Sequence, residues 1–521
     1  MKLQIFDSTL RDGAQGANIS FSVEDKLKVI RTLDDLGVDF IEAGNPFSNP
    51  AEMQFFQRIA GLKLAHAKIV AFGSTRRKGI LPAEDGNLKS LLAAGTEYVA
   101  IFGKSHIRHA TDVLKATPEE NLAMIGESVR FLTENGKKVV FDAEHFFDGY
   151  KTDAEYAMRA LESAAQAGAV TLCLCDTNGG IFPDEARAIT EKVVQKFPQL
   201  TVAIHCHNDG DLAVADSIAA VEAGARQVQG TLLGFGERCG NANLCSVICN
   251  LQLKRGYECI PPDHLKEMYG CAMALAETAN AAIPPNQPYV GMNAFAHKAG
   301  MHADGELKYS SSFEHVDPEA IGNKRKFLLS EISGKSAIYD KLKNYFPSLD
   351  KNGKEMGEIV SALKDRALAG YQYEAAEASF VLLVEKILGK YKNSFDLISY
   401  KIISEQPAIE GKVASAIVKI RVNGATKIAA ADGEGPVHAM DLALRAALSD
   451  FYPEIARMSL VDFKVRVLDS DKATAAKVRV LITSADSADS WTTVGVSEDV
   501  IEASWIALTD SIDYALMRRE R

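Results

Sequence analysis

One short pattern recurs through the first half of the chain, and it restricts the fold more than any other feature of the sequence. In each repeat a helical segment ends at a glycine, and a short apolar, β-rich run follows within a few residues. The six glycines are Gly37, Gly61, Gly95, Gly136, Gly168 and Gly224. Glycine suits the left-handed backbone position that closes a helix. Two further runs, LQIFDSTL near the start and TVAIHCHND after Pro198, bring the predicted strands to eight.

These runs predict parallel strands that are covered on both faces, because they are almost entirely apolar and do not alternate with polar residues. Eight strand–helix units in about 250 residues predict a (β/α)8 TIM barrel. A doubly wound sheet of about six strands is the alternative, and the count of eight argues against it. We therefore expect an α/β protein whose catalytic barrel spans residues 1–255.

The chain has 521 residues, which is too long for one ordinary domain. Its composition changes after the predicted barrel. Residues 256–330 are rich in proline and include HKAGMHADG at 297–305, which is typical of a functional loop in a flap or linker subdomain. Residues 331–392 are predicted to form a helical subdomain. Residues 393–521 predict a separate α/β domain with two β-rich halves, each closed by a helix. The first half turns at Asn423-Gly424, a hairpin signal.

Charge and hydropathy exclude two classes of partner. Lys and Arg number 58 against 69 Asp and Glu, which gives a net charge of -11, and no long basic run occurs. Nucleic acid is therefore not an expected partner, because phosphate binding requires a basic face. No run approaches the roughly 20 apolar residues that span a bilayer, and the start lacks the apolar core of a signal peptide. We expect a cytoplasmic protein that does not bind membranes.

A thiolate-bound metal ion is not favoured, and a dinucleotide cofactor is not expected. The eight cysteines contain no CxxC pair, so we expect buried free thiols; a thiolate metal site at the CxC or CxxxC spacings is the less favoured alternative. The glycines of the segment after the eighth strand lack the spacing of a dinucleotide-binding loop and the acidic residue that follows it. That segment contains Gly234, Gly236 and Gly240.

The clearest chemical signal is a pair of histidines on the seventh predicted strand. Function in a TIM barrel collects at the carboxyl ends of the strands. His205 and His207 are two residues apart, so both point into the barrel mouth. Two imidazoles and a carboxylate leave open positions on a divalent ion for a chelating substrate. We predict Asp12 as the third ligand and Asn241 as a fourth or water-bridged ligand; two hydrogen-bonded histidines without a metal are the alternative.

Three further residues at strand ends are candidates for substrate chemistry. Arg11 has a planar donor fork that can stabilise an enolate or a polarised carbonyl, and its alternative role is a salt bridge to Glu42. Glu144 is a candidate general base, or else an ion-pairing carboxylate. Thr177 can hold a substrate carboxylate through its hydroxyl, or cap the backbone of its turn.

Several segments resemble a known enzyme family. The segments DSTLRDGAQG, HCHND, GERCGNANL and HKAGMHADG resemble the signatures of the 2-isopropylmalate, homocitrate and citramalate synthase family, the acyl-transferring branch of the DRE-TIM metallolyases. AFGSTRRKG, IFGKS, FDAEHFFDGYK and LCDTNGG are similar to the long-chain citramalate synthases of that family. The resemblance runs along nearly the whole chain, including ADGEGPVHAMDLALRAAL, which is similar to the motif of the family's regulatory domain.

The resemblance implies an acyltransferase reaction. Acetyl-CoA would condense with a 2-oxo acid, here pyruvate, and hydrolysis of the thioester would give citramalate and CoA for isoleucine biosynthesis. It also implies that Asp12, His205 and His207 bind the divalent metal, with Asn241 nearby. Mg2+ and Mn2+ suit a shell completed by oxygen atoms, and two imidazoles would also accept Zn2+.

The resemblance also assigns roles to the remaining candidates. Arg11 would steady the oxygen charge, and Thr177 would contact the substrate carboxylate. Glu144 would manage the proton of the acetyl methyl group together with His302. In this family the segment containing His302 reaches into the barrel of the neighbouring subunit, which implies a homodimer or a larger homo-oligomer.

The tail predicts a second function, in regulation. A helix that begins at Pro436, behind Gly433 and Gly435, presents free backbone N–H groups to a small carboxylate. The resemblance implies the end-product amino acid, isoleucine, as a feedback effector of this regulatory domain. The alternative is a dimerisation domain in which these glycines only make a turn.

Two positions depart from the family pattern. Phe313 stands where relatives commonly have tyrosine, and Asn45 stands where an aromatic residue is expected. Within enzymes, the alternative function is a 2-isopropylmalate synthase that uses 2-oxoisovalerate. Outside enzymes, the alternative is a catalytically silent amino-acid sensor, and the complete ligand set argues against it.

Overall fold

The computed structural model describes residues 1–297, 302, 305–306, 309, 312–327, 335–409, 412–468, 476–486 and 489–520. The chain divides into two compact units, of which the first comprises Met1–Phe295 with His315–Arg325. The second comprises Ala296–Glu314 with Lys326–Arg521. Within the described residues, no helix combines the length and the apolar character that crossing a membrane requires.

The first unit contains a closed barrel of parallel strands, in which each strand pairs with the next and the last pairs with the first. Its strands are β1 Gln4–Asp7, β2 Phe40–Glu42, β3 Lys68–Ser74, β4 Tyr98–Lys104, β5 Lys138–Glu144, β6 Thr171–Asp176, β7 Thr201–Cys206 and β8 Gln227–Gly230. The predicted (β/α)8 fold is therefore confirmed, together with all eight predicted strands.

Helices follow the strands around the barrel. They are α1 Val23–Leu36, α2 Pro50–Ile59, α3 Gly86–Ala93, α4 Pro118–Glu134, α5 Phe146–Thr152, α6 Ala154–Gln166, α7 Pro183–Lys196, α8 Ala213–Glu222, α9 Leu244–Arg255 and α10 Met268–Thr278. The six glycines of the repeat all have positive φ, from 74° at Gly95 to 116° at Gly224. At Gly37 the backbone N–H donates to Leu33 O and Asp34 O and closes α1.

The barrel interior changes from apolar to polar along the strands. Five strands contribute a buried apolar cluster of Phe6, Phe40, Val70, Ala100 and Val140. Side chains two residues apart on a strand share a face. On β5, Val140 is therefore followed on the same face by Asp142 and then Glu144, at the carboxyl end. The apolar cluster and the charged side chains of the interior are thus separated along the strands, with the charged side chains toward the carboxyl ends.

The second unit combines helices with two antiparallel sheets. After the short paired strands β9 Ala296–His297 and β10 Lys326–Phe327 come helices α11 Lys335–Leu342, α12 Lys354–Leu368 and α13 Glu377–Ile387. One sheet has β11 Asp396–Ile409, β12 Lys412–Val422 and β13 Ala425–Gly433, followed by α14 Pro436–Leu448. The other has β14 Ser459–Val467, β15 Val478–Ala485 and β16 Ser490–Ser497, followed by α15 Val500–Glu520.

This arrangement confirms the predicted tail of two β-rich halves, each closed by a helix. The predicted hairpin turn joins β12 to β13, with φ of 48° at Asn423 and 83° at Gly424. α14 packs on β12 and β13, and α15 packs on β15 and β16. The predicted domain limits at residues 255, 330 and 392 stay predictions.

Candidate active site

Three metal-ligand candidates converge at the carboxyl end of the barrel. His205 lies on β7, His207 follows its end, and Asp12 lies in the loop after β1. Asp12 Oδ2 is 3.3 Å from His205 Nε2 and 3.8 Å from His207 Nε2. All three side chains are buried. One carboxylate and two imidazoles thus face a common point, as a metal site requires.

A glycine-rich loop after β8 places Asn241 beside these residues. The Asn241 backbone forms an isolated bridge with His207, and its Nδ2 donates to Phe235 O at 3.0 Å. Gly236 has a φ of 153°, and a Cβ there would lie 2.2 Å from Asn241 Nδ2. A side chain at this position would therefore displace the Asn241 amide.

Two buried polar atoms in this group have no hydrogen-bond partner among the described residues. They are Asn241 Oδ1 and His207 Nδ1. A buried polar atom without a partner costs about 1–3 kcal/mol, so such atoms mark a place that a ligand completes. The nitrogen and oxygen donors fit a divalent metal ion.

The protonation states of Asp12 and His207 favour the binding of a cation. Burial opposes ionisation of Asp12, but Arg11 and His205 outweigh this effect and hold the pKa of the carboxyl far below its usual range. Burial and the charge of His205 lower the pKa of His207 to about 4. The His207 imidazole is therefore neutral at pH 7 and can offer a lone pair.

Arg11 bridges two buried carboxylates at the edge of this group. Its Nε donates to Glu42 Oε2 at 2.6 Å and its Nη1 to Asp12 Oδ2 at 3.0 Å. The predicted alternative, a salt bridge from Arg11 to Glu42, is thus present. Asp142 is a third buried carboxyl group, and burial and the charge of Glu42 raise its pKa to about 7. In this part of the described chain, three carboxyl groups lie near the Arg11 guanidinium, an acidic environment that favours a cation.

A cavity of about 220 Å³ opens at this end of the barrel. Six predicted site residues line it: Arg11, Asp12, Glu144, Thr177, His205 and His207. Phe72 and Phe102 form one wall, and their rings stack with 5.6 Å between centroids. Sequence reasoning missed both phenylalanines; the available signal was their place near the carboxyl ends of the third and fourth predicted strands.

Glu144 is the last residue of β5 and forms an ion pair with Lys104, the last residue of β4. The two residues are direct neighbours in the register of β4 and β5. Sequence reasoning gave no role to Lys104, although it lies in the segment IFGKS at a strand end. The ion pair that was the alternative for Glu144 is present, and its role as a base stays a prediction.

Thr177 follows β6 and supports the neighbouring strand end. Its Oγ1 accepts a hydrogen bond from the backbone N–H of His145 at 2.8 Å, so the backbone contact considered from the sequence is present. The hydroxyl proton of Thr177 is still available to a ligand in the cavity. Arg238 donates to Thr177 O at 2.7 Å and pairs with Asp209 at 2.8 Å, which ties the loops after β6, β7 and β8 together.

Three protein families match successive parts of the chain. Residues 2–270 match the HMGL-like family, residues 289–370 match the homocitrate synthase post-HMGL domain-like family, and residues 374–516 match the LeuA allosteric (dimerisation) domain. The chain belongs to the HMGL-like family. The resemblance inferred from its signature segments is thereby confirmed, and this membership agrees with a divalent metal ion at the Asp12–His205–His207 group.

Full-length relatives narrow the position within the HMGL-like family. The (R)-citramalate synthase of Aquifex aeolicus is 48% identical over 100% of this chain and 98% of its own length. The (R)-citramalate synthase of Geobacter sulfurreducens is 44% identical over 99% of this chain and 98% of its own. The 2-isopropylmalate synthase of Methanocaldococcus jannaschii is 31% identical over 100% of this chain and 96% of its own. The predicted citramalate synthase function is therefore supported over 2-isopropylmalate synthase.

His302 belongs to the second compact unit, whereas the other predicted catalytic residues belong to the first. Of the predicted loop at 297–305, residues 298–301, 303 and 304 lie outside the described residues. His302 is exposed, and its ring stacks on Phe313 with 4.1 Å between centroids. Close by, His297 Nε2 lies 2.9 Å from Glu314 Oε1. Phe313, one of the two residues that depart from the family pattern, is thus the one that stacks on the His302 ring.

The predicted regulatory glycines lie where β13 meets α14. Gly433 ends β13, and a Cβ there would lie 2.4 Å from Ala439 N. Gly435 precedes Pro436, the first residue of α14, in an extended backbone conformation. Gly433 therefore serves a close approach of strand and helix, and binding of an effector at this place stays a prediction.

The thiols match the sequence expectation in part. All eight cysteines are free; six are buried, Cys239 is exposed and Cys271 is half-buried. Cys173, Cys175 and Asp142 lie close enough to hold an ion. Burial raises the pKa of Cys173 well above its ordinary value, which favours a thiol over the thiolate that a metal needs.

Proposed function

We propose that this chain condenses acetyl-CoA with pyruvate and hydrolyses the thioester, which gives citramalate and CoA for isoleucine biosynthesis. The observation that carries the proposal is the convergence of Asp12, His205 and His207 on one point of the barrel cavity, in a chain similar to (R)-citramalate synthases along its whole length. A silent amino-acid sensor would have no need of such a group. The R enantiomer named for these relatives is the product we expect.

Asp12, His205 and His207 would hold the divalent ion, with Asn241 Oδ1 as a further direct or water-bridged contact. Mg2+ or Mn2+ is the expected ion, and Zn2+ is the alternative. When bound, the ion would act as a Lewis acid toward the keto group of pyruvate and as a template for its two chelating oxygens.

The protein side chains would orient the substrate and move the proton. Arg11, already fixed by Glu42, would direct guanidinium N–H groups at the oxygen that gains charge as the new carbon–carbon bond forms. Thr177 would donate its hydroxyl proton to the pyruvate carboxylate, because a carboxylate can only accept and the contact with His145 N–H leaves this proton free. Glu144, together with His302, would take the proton of the acetyl methyl group.

Regulation and assembly extend the proposal to the second unit. The match of residues 374–516 to the LeuA allosteric (dimerisation) domain supports an effector and a homodimer as the smallest active unit, and isoleucine is the effector that we propose. Consumption of acetyl-CoA for amino-acid synthesis fits the cytoplasm, which stays our expectation for its location.

The test is CoA release from acetyl-CoA with pyruvate, 2-oxobutyrate or 2-oxoisovalerate, each with and without Mg2+ or Mn2+. We expect pyruvate to exceed 2-oxoisovalerate in kcat/KM by at least about 100-fold, since each methyl group changes selectivity by about 1–3 kcal/mol. Chelation should abolish the reaction. Preference for 2-oxoisovalerate would overturn the substrate assignment.

A further inference from the structure

A buried chain of hydrogen bonds runs from the metal-ligand candidates into the barrel interior. His205 Nδ1 is 3.2 Å from Gln229 Oε1, and Gln229 Nε2 donates to Asp142 Oδ1 at 3.2 Å. The other ring nitrogen of His205, Nε2, faces Asp12. Gln229 is 0% exposed, Asp142 4% and His205 5%. The reaction proposed above uses neither Gln229 nor Asp142.

The barrel register fixes these contacts. Gln229 on β8 is the direct neighbour of His205 on β7, so the two side chains leave adjacent strands at the same height. Asp142 reaches the Gln229 amide from β5, across the interior. Three strands therefore hold the chain of hydrogen bonds, and a surface loop plays no part in it.

The direction of each hydrogen bond follows from the groups that meet. The amide of Gln229 has one donating and one accepting end, and the Asp142 oxygen accepts. The amide nitrogen therefore faces Asp142, and the carbonyl oxygen faces His205. A carbonyl oxygen can only accept, so the Nδ1 atom of His205 carries a proton. In the neutral imidazole, the form that binds a metal ion, the lone pair is then on Nε2, which faces Asp12.

We propose that Gln229 is a positioning residue for His205. Its carbonyl holds the imidazole in the Nδ1–H tautomer with Nε2 directed at the ion, and Asp142 fixes the orientation of the Gln229 amide. The inference rests on the proposed metal group of Asp12, His205 and His207. Partners of this kind hold the ring of a metal-binding histidine, and their loss typically weakens metal binding by about 10- to 100-fold.

The experiment measures Mn2+ affinity of the metal-free full-length chain, from the electron paramagnetic resonance signal of free Mn2+. Gln229→Met removes the acceptor at nearly constant volume, whereas Gln229→Glu keeps an acceptor. Gln227→Met is the matched control. Gln227 lies two residues earlier on β8, is equally buried, and donates to Gln4 Oε1 at 3.1 Å instead of contacting His205.

We expect Gln229→Met to raise the Kd for Mn2+ about 10- to 100-fold, and Gln229→Glu and Gln227→Met to change it by less than about 3-fold. Activity of Gln229→Met should return to within about 3-fold of wild-type kcat at saturating Mn2+. A loss that is only structural would lower the melting temperature without shifting the Mn2+ dependence. Equal Mn2+ affinity of Gln229→Met and the wild type would overturn the inference.

Three further variants separate the possible failures. If Gln229→Met does not fold, Asp142→Leu is compared with Asp142→Asn. Both remove the buried carboxyl group, but only Asp142→Leu also removes the acceptor that orients the Gln229 amide, so its Kd should be about 3- to 10-fold higher than that of Asp142→Asn, and equal Kd values would refute the positioning role of Gln229. His205→Ala tests the metal group itself. If His205→Ala loses Mn2+ and Gln229→Met does not, only the role of Gln229 fails. If His205→Ala binds Mn2+ normally, the proposed site fails with it.

Discussion

Replacement of Arg11 by methionine should separate stability from catalysis in this barrel. Arg11 pairs with Glu42 at 2.6 Å and with Asp12 at 3.0 Å. Glu42 is 0% exposed, and its Oε1 atom has no hydrogen-bond partner among the described residues. Methionine has a similar length but no charge. The variant would therefore leave the Glu42 carboxylate buried without its cation.

The expected loss of stability in Arg11→Met follows from the burial of Glu42. Removal of one partner from a buried ion pair costs about 3–5 kcal/mol, because the other charge stays desolvated. Ser8 Oγ still donates to Glu42 Oε2, so we expect a loss near the lower limit, about 3 kcal/mol. Glu42→Gln in the Arg11→Met background removes the uncompensated charge and should recover about 1–3 kcal/mol. Neither variant should regain turnover, because the guanidinium is absent from both.

The positions of the tryptophans allow the unfolding of the second unit to be followed separately. The chain has 2 tryptophans. Both Trp491 and Trp505 belong to the second compact unit. Urea unfolding followed by tryptophan fluorescence should therefore be nearly unchanged by Arg11→Met. Hydrogen exchange of peptides from β1 and β2 should show the loss. Both readings are taken on metal-free protein, because a bound cation would change the charge balance.

Two results would refute the reasoning. Exchange in β1 and β2 that is as slow in Arg11→Met as in the wild type would mean that the pair does not compensate a buried charge. Full turnover of either variant would mean that Arg11 does not act on the substrate oxygen.

Three other predictions test separate parts of the chain. Glu144→Gln should lower turnover about 100- to 10,000-fold with little change in pyruvate binding, because an amide cannot accept the methyl proton; near-normal turnover by CoA release would remove Glu144 from this role. Burial raises the pKa of Asp216 from 3.8 to about 7. The folded chain thus binds this proton more tightly than the unfolded chain, and stability is lost as pH rises from about 4 to 7. Asp216→Asn should remove that loss and gain up to about 4 kcal/mol over the wild type at pH 8 but not at pH 4, measured by chemical unfolding; an equal gain at both pH values would contradict it. Gly433→Ala should destabilise the second unit by about 1–3 kcal/mol, because the new Cβ would lie 2.4 Å from Ala439 N. Gly435→Ala is the control and should be tolerated, because a Cβ there meets no atom of the described structure within 4 Å. Tryptophan fluorescence would compare these two variants, and equal stability would contradict the close-approach argument.

The sequence predicted the fold because its signals are local. A glycine such as Gly37 closes one helix through its own backbone, and an apolar run identifies a strand without knowledge of its neighbours. The meeting of Asp12 with His205 and His207 was also predictable. In a barrel of parallel strands all carboxyl ends lie at the same end, so residues distant in sequence must approach one another there.

The partners of the site residues could not be predicted in the same way. Lys104 meets Glu144, and Gln229 meets His205, because of the register between neighbouring strands. Register depends on how the whole barrel closes, and no local pattern encodes it. Likewise, Phe313 was recognised only as a departure from the family, whereas its contact with the His302 ring depends on the fold of the second unit.

The free-energy cost of burying polar groups differs between the two ends of the barrel. This difference supports the location of the site independently of any resemblance. At one end of the interior, apolar side chains of five strands pack together, and the polar side chains beside them, Gln4 and Gln227, are uncharged and hydrogen-bond each other. At the other end, the chain buries Glu42 and Asp142 and leaves Asn241 Oδ1 without a partner among the described residues. Folding alone would favour the apolar solution at both ends, since each uncompensated polar group lowers stability. The end that buries charged carboxyl groups is therefore the one where a ligand would offset the larger cost, and the acidic character of these groups favours a ligand that includes a cation.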